Sequence, residues 1–258
     1  MTDFVAEQSL IPYQASSFTA RRVLVVAPHP DDEVFGCGAA LADLAARGAE
    51  IVVLVLTDGA GGLEEPAERK KIADLRLRES GVALAILGGG RLRSAGLPDR
   101  GLWDAGTALR EALAQALAEV EPDLVFAPSP VEIHPDHRAA ASALVALGQR
   151  VAPSSRAAHV LSGATIAFFE LSQPFRPNFL FDCGRYAETK RRAMLAFVSQ
   201  NQERDYAGFV SGLNAYRRMT LPKGTTAAEG YFVVPGADLS RGLPALSEAM
   251  SPFAGVAS

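Results

Sequence analysis

Two stretches of the chain are apolar without interruption, residues 23–27 and 51–56, built from valine, leucine, isoleucine and one alanine. A strand covered on one face alternates apolar and polar positions. A run with no alternation predicts a strand covered on both faces, as in a parallel sheet. Between the two, residues 38–48 are rich in alanine and leucine and end at Gly48, the pattern of a helix with a glycine just past its end. One βαβ unit with a right-handed crossover is expected over 23–56.

The alternation continues. Residues 66–87 read as a helix closed by Gly88–Gly90, and a short strand or loop from Leu92 ends at "GLPD". Residues 104–120 read as a helix, 123–128 as another buried strand and 134–147 as a helix. Beyond Pro153 the pattern loosens. Residues 164–171, 178–184 and 230–235 suit strands, and 188–198 and 205–219 suit helices. Strands alternating with helices predict a Rossmann-like α/β fold, a three-layer sandwich around a mostly parallel sheet in a single domain. The expected boundaries are an N-terminal extension over 1–21, the domain over 22–235, and an irregular or mobile C-terminal tail over 236–258.

Composition narrows the function. The 258 residues are 48% hydrophobic and 21% charged, with a formal net charge of −4. That balance offers no long-range attraction for nucleic acid or an acidic membrane surface. No apolar run is long enough for membrane insertion, and the N-terminus lacks the basic and apolar regions of a signal peptide. The two cysteines, Cys37 and Cys183, form neither a disulfide framework nor a CxxC pair. A cytoplasmic protein is expected, with a homo-oligomer allowed.

The chemistry gathers at two places. The first strand runs into "PHPDDE", which carries His29, Asp31, Asp32 and Glu33. The strand at 123–128 runs into "VEIHPDH", with His134, Asp136 and His137. Three of the four histidines therefore follow two strands expected to be neighbours. In an open α/β sheet, ligands bind outside the carboxyl ends of strands where the strand order reverses, and these two strands flank that point in the commonest order. His29 and Asp32 converge if the segment curls into a turn, and His137 can add a third ligand. Two histidines and a carboxylate are a usual catalytic zinc set; ferrous iron fits the same donors. Asp31 can then act as general base. His134 can stabilise an oxyanion or protonate a leaving amine, with Asp136 orienting it. Asp136 and Glu33, each in a first helical turn, can equally serve as caps. A metal-dependent phosphoesterase and a non-catalytic, metal-dependent binding protein are the alternatives.

These two segments together resemble the PIG-L (LmbE-like) zinc-dependent de-N-acetylases. So do "TDGAGG" at 57–62, "RLRESGVALAILG" at 76–88 and "GLPD" at 96–99, with weaker marks at Ser199–Gln200 and 228–233. The resemblance implies removal of an acetyl or acyl group from an N-acetylglucosamine-type conjugate, a small-molecule partner. It implies His29, Asp32 and His137 as zinc ligands, Asp31 as base, and His134 at the oxyanion or as acid. Arg76 and Asp99 match positions implicated in holding the sugar.

Overall fold

In the computed structural model, Val23, Val25 and Ala27 face one layer of helices while Leu24 and Val26, all within strand β1 (Arg22–Ala27), face the other. Both faces of the strand are covered, which is why its sequence shows no alternation. The structure describes residues 7–61, 63–149 and 155–252. Gly62 of "TDGAGG" and parts of the expected extension (1–6) and tail (253–258) lie outside them.

After β1 come α1 (Asp32–Ala46), β2 (Glu50–Thr57), α2 (Pro66–Ile86), β3 (Arg91–Leu97), α3 (Gly106–Val120), β4 (Leu124–Pro128) and α4 (Pro135–Gln149). Then follow α5 (Arg156–Gly163), β5 (Thr165–Phe169), β6 (Phe179–Asp182), α6 (Ala187–Leu195), α7 (Val198–Asn201), α8 (Tyr206–Arg217), β7 (Ala228–Pro235) and α9 (Gly242–Met250). The described strands form one seven-stranded sheet in the order β3-β2-β1-β4-β5-β7-β6. The first five are mutually parallel, and β7 runs antiparallel to both β5 and β6. Helices α1, α2, α6 and α8 contribute to the core on one face, and α3, α4, α5 and α9 to that on the other. This is a three-layer α/β sandwich with a mostly parallel sheet, and its order reverses between β1 and β4. No described helix is long and apolar enough to cross a membrane.

Helix α5 has no counterpart among the expected elements, the expected helix 188–198 is divided into α6 and α7, and two further elements differ from expectation. Helix α1 begins at Asp32 rather than near Gly38, because Asp32 and Glu33 enter its first turn, and it kinks at Cys37 (φ −137°, ψ 21°). The amides of Ala39 and Ala40 beyond the kink donate to the buried Glu229 carboxylate at 2.8 and 3.0 Å. That carboxylate also receives Lys190 Nζ and the Tyr231 hydroxyl, both at 2.7 Å.

The segment after β7 is ordered rather than irregular. A 3-10 helix over Gly236–Arg241 leads into α9, and Leu239, Leu246 and Met250 are fully buried against α4 and α5. Gly236, Gly242 and Pro244 read as breakers in sequence. Yet Pro244 falls in the first turn of α9, where no intrahelical N–H bond is needed.

Candidate active site

The site lies where β1 and β4 part. Pro28 to Asp31 connect β1 to α1, and the chain turns so that the Asp32 amide donates to the His29 carbonyl at 3.3 Å. The same turn brings Asp32 Oδ2 to 2.8 Å from the His29 amide and 3.2 Å from His29 Nδ1. From the β4 side, His137 in the first turn of α4 places Nε2 3.2 Å from Asp32 Oδ2 and 3.2 Å from His29 Nδ1. One atom from each of three buried residues thus forms a near-equilateral triangle.

That triangle tests the fit of a metal ion. Three donors each about 2.0–2.1 Å from a tetrahedral ion sit about 3.3–3.4 Å apart. Two ring nitrogens that face both a carboxylate and each other cannot all be satisfied by protons. A divalent cation at their centre satisfies the three at once. Two other donor groups lie within 4.8 Å of one another, His29 with His134 and His137, and His29 with Asp99 and Asp136. The triangle supplies two nitrogens and one carboxylate, a usual catalytic zinc set, with all three separations at 3.2 Å, so it is the donor set that fits best.

The opposite edge of His29 is occupied by carboxylates. Nε2 is 3.2 Å from Asp99 Oδ1 and 3.4 Å from Asp136 Oδ2. The two carboxylates stand close to Nε2 without an aligned hydrogen bond to it; a carboxylate on the far nitrogen of a ligating imidazole orients the ring and sets its tautomer. Both acids also hold backbone. Asp99 accepts from the Gly61 amide at 2.8 Å, and Asp136 accepts from Arg100 and Leu102 at 2.7 and 3.1 Å.

Burial alone would lower the pKa of His29, but the carboxylates of Asp136, Asp32 and Asp99 outweigh it and hold it well above the usual range. Burial likewise opposes the charge on His137, whereas Asp32 and Glu132 push it up to about 9. Asp32 is driven far below the normal carboxylate range, against the effect of burial, by His137 and His29.

Asp31 is held differently. Its backbone lies at φ 142°, a strained value for a residue with a side chain. Its Oδ2 accepts from Arg76 Nη2 at 2.9 Å, and its amide donates to Glu33 Oε2 at 3.0 Å. Burial raises its pKa to about 6, with Arg76 restraining the rise. Arg76 is buried on the inner face of α2 and donates Nη1 to the Gly59 carbonyl at 2.6 Å. His134 is half-buried, with its ring edge-on to His29 at 4.7 Å. Its Nδ1 accepts from the Asp136 amide at 3.2 Å, an arrangement that leaves the ring proton on Nε2. Burial, then the positive charge on His29 and His137, lowers its pKa.

A family model described as GlcNAc-PI de-N-acetylase matches residues 24–147. The chain belongs to the PIG-L de-N-acetylase family. Among PIG-L relatives, it is 28% identical over 228 residues to the diacetylchitobiose deacetylase of Thermococcus kodakarensis, covering 84% of each chain. The N,N'-diacetylchitobiose deacetylase of Pyrococcus horikoshii superposes with a TM-score of 0.71 at 26% identity, over 85% of both chains. A conserved protein of Thermus thermophilus superposes with a TM-score of 0.68 at 33% identity, over 82% of this chain and 93% of its own.

The structure brings His29, Asp31, Asp32, Asp99, His134, Asp136 and His137 to one edge of the sheet. Arg76 joins them through Asp31. Sequence reasoning passed over Glu132, a buried carboxylate 3.7 Å from His137 Nδ1. The available signal was an acid two residues ahead of His134 between two apolar neighbours.

Proposed function

We propose that this protein is a metal-dependent amide hydrolase that removes the acetyl group from an N-acetylated glucosamine conjugate. The observation that carries the reading is the His29–Asp32–His137 triangle with Asp31 adjoining it in the chain. The names of the relatives, deacetylases of diacetylchitobiose, support the substrate class.

His29, Asp32 and His137 would hold the ion, for which zinc is the first choice and ferrous iron the second. A divalent ion bound there would polarise the amide carbonyl and ease ionisation of a nearby water. Asp31 takes the proton of the attacking water. Burial raises its pKa above the usual carboxylate range, which suits a base that must accept that proton. Arg76 and the strained backbone keep that carboxylate from turning away. His134, neutral and with its proton on Nε2, donates to the oxyanion as the tetrahedral carbon forms. Asp31 returns its proton to the leaving nitrogen, giving acetate and a free amine. Cys37 and Cys183 are buried free thiols, which supports a cytoplasmic setting.

The test is acetate release from N,N'-diacetylchitobiose and other N-acetylglucosamine conjugates, before and after chelation, with zinc or ferrous iron restored separately. Asp31→Asn should retain the ion while losing about 10²–10⁴-fold in turnover. Release that survives complete removal of metal, or full activity in that variant, would overturn the reading.

A further inference from the structure

Glu132 is 1% exposed and has no part in the chemistry above. Its Oε1 accepts three amides from the loop between β5 and β6, those of Leu171, Ser172 and Gln173, at 2.8, 3.1 and 3.3 Å. Its Oε2 takes only a second contact from Ser172 at 3.2 Å and lies 3.7 Å from His137 Nδ1. The two oxygens are thus unequally used. Oε1 is saturated by the loop, while Oε2 retains accepting capacity on the side of the histidine.

His137 Nδ1 has the complementary need. It is buried and has no hydrogen-bond partner within ordinary range. Its Nε2 belongs to the donor triangle, so the ring proton must sit on Nδ1 for Nε2 to offer a lone pair there. A short approach to Glu132 Oε2 satisfies that proton. The backbone of Glu132 is itself fixed: its carbonyl accepts from Arg138 Nη1 at 2.7 Å, and its amide donates to the Ser129 carbonyl at 3.3 Å.

We infer that Glu132 is a positioning residue for the metal site. It sets the tautomer and orientation of His137 and ties the β5–β6 loop to that ligand through one carboxylate. The inference rests on the metal-hydrolase reading above and extends it to a residue outside the ligand set. A purely structural Glu132 would anchor the loop and leave metal affinity alone.

Glu170→Gln supplies the comparison. Glu170 anchors the same loop through the Phe175 amide at 2.8 Å and pairs with Arg217, but it contacts no residue of the triangle. Zinc affinity would be measured by chelator competition on the full chain. Glu132→Gln should weaken it by about 10–100-fold, the usual effect of losing an outer partner of a ligating histidine, and Glu170→Gln by less than about threefold. Both variants should lose thermal stability. A zinc affinity for Glu132→Gln within about threefold of wild type would overturn the inference.

If Glu132→Gln fails to fold, zinc-loaded wild type decides by nitrogen-15 NMR. A slowly exchanging proton on His137 Nδ1 supports the inference, and an unprotonated Nδ1 overturns it. Wild type that takes up no zinc overturns the metal reading and this inference together. Wild type that binds zinc tightly but releases no acetate overturns only the proposed reaction, because none of these readouts uses turnover.

Discussion

Replacing Arg76 by glutamine should move the acid limb of the pH–rate profile. Arg76 Nη2 donates to Asp31 Oδ2 at 2.9 Å from a position only 7% exposed, so solvent screens the contact little. A hydrogen bond between charged groups contributes about 1.5–3 kcal/mol. At about 1.36 kcal/mol per pKa unit, its loss should raise the pKa of Asp31 by about 1–2 units. The sign follows from the role. A general base works when deprotonated, so kcat/KM falls as pH drops through the base's pKa, and a higher pKa moves that fall towards neutrality. The variant should therefore lose more activity than wild type at the acid end and recover it as the pH rises. An ion held by Asp32 lowers the limb in wild type and variant alike, so the difference between them is the quantity to measure. The assay is kcat/KM for acetate release under zinc saturation from about pH 5 to about 9.5. Arg76→Lys, which keeps the charge, should move the limb less. A limb that stays in place while KM rises would refute the reasoning. It would indicate instead that Arg76 holds the sugar, the role that the family resemblance implies.

His134→Gln should lower kcat by about 10²–10³-fold while zinc affinity and KM change little, because its Nδ1 bonds the Asp136 amide rather than joining the triangle. A collapse of zinc affinity in that variant would mean that His134 is itself a ligand. Leu239→Ala should destabilise the fold by about 2–5 kcal/mol in urea unfolding, since the side chain is fully buried against α4. A loss below about 0.5 kcal/mol would show that the segment after β7 adds nothing to the core.

Strands β1, β2 and β4 were legible because burial on both faces leaves an unbroken apolar run, a pattern carried by consecutive residues. The segments around His29 and His134 were legible for the same reason, since each packs its ionisable side chains into a few positions directly after a strand. The expected reversal of strand order between β1 and β4 is present, which explains how residues more than a hundred positions apart come to share a site.

Contacts made across elements were not legible. Asp99 and Asp136 meet at His29 Nε2, Arg76 reaches Asp31 from the middle of α2, and Glu132 stands between His137 and the β5–β6 loop. The order of α9 was hidden by a proline and two glycines, and its apolar positions gain meaning only against α4 and the 3-10 helix before it. Local sequence carries periodicity, turn chemistry and the clustering of reactive side chains, because these depend on near neighbours in the chain. The direction of a hydrogen bond, the partner of a buried charge and the spacing of three donor atoms at 3.2 Å depend on how separate elements pack. Those are set by the sheet order and the helices closing over it, so only the folded chain decides them.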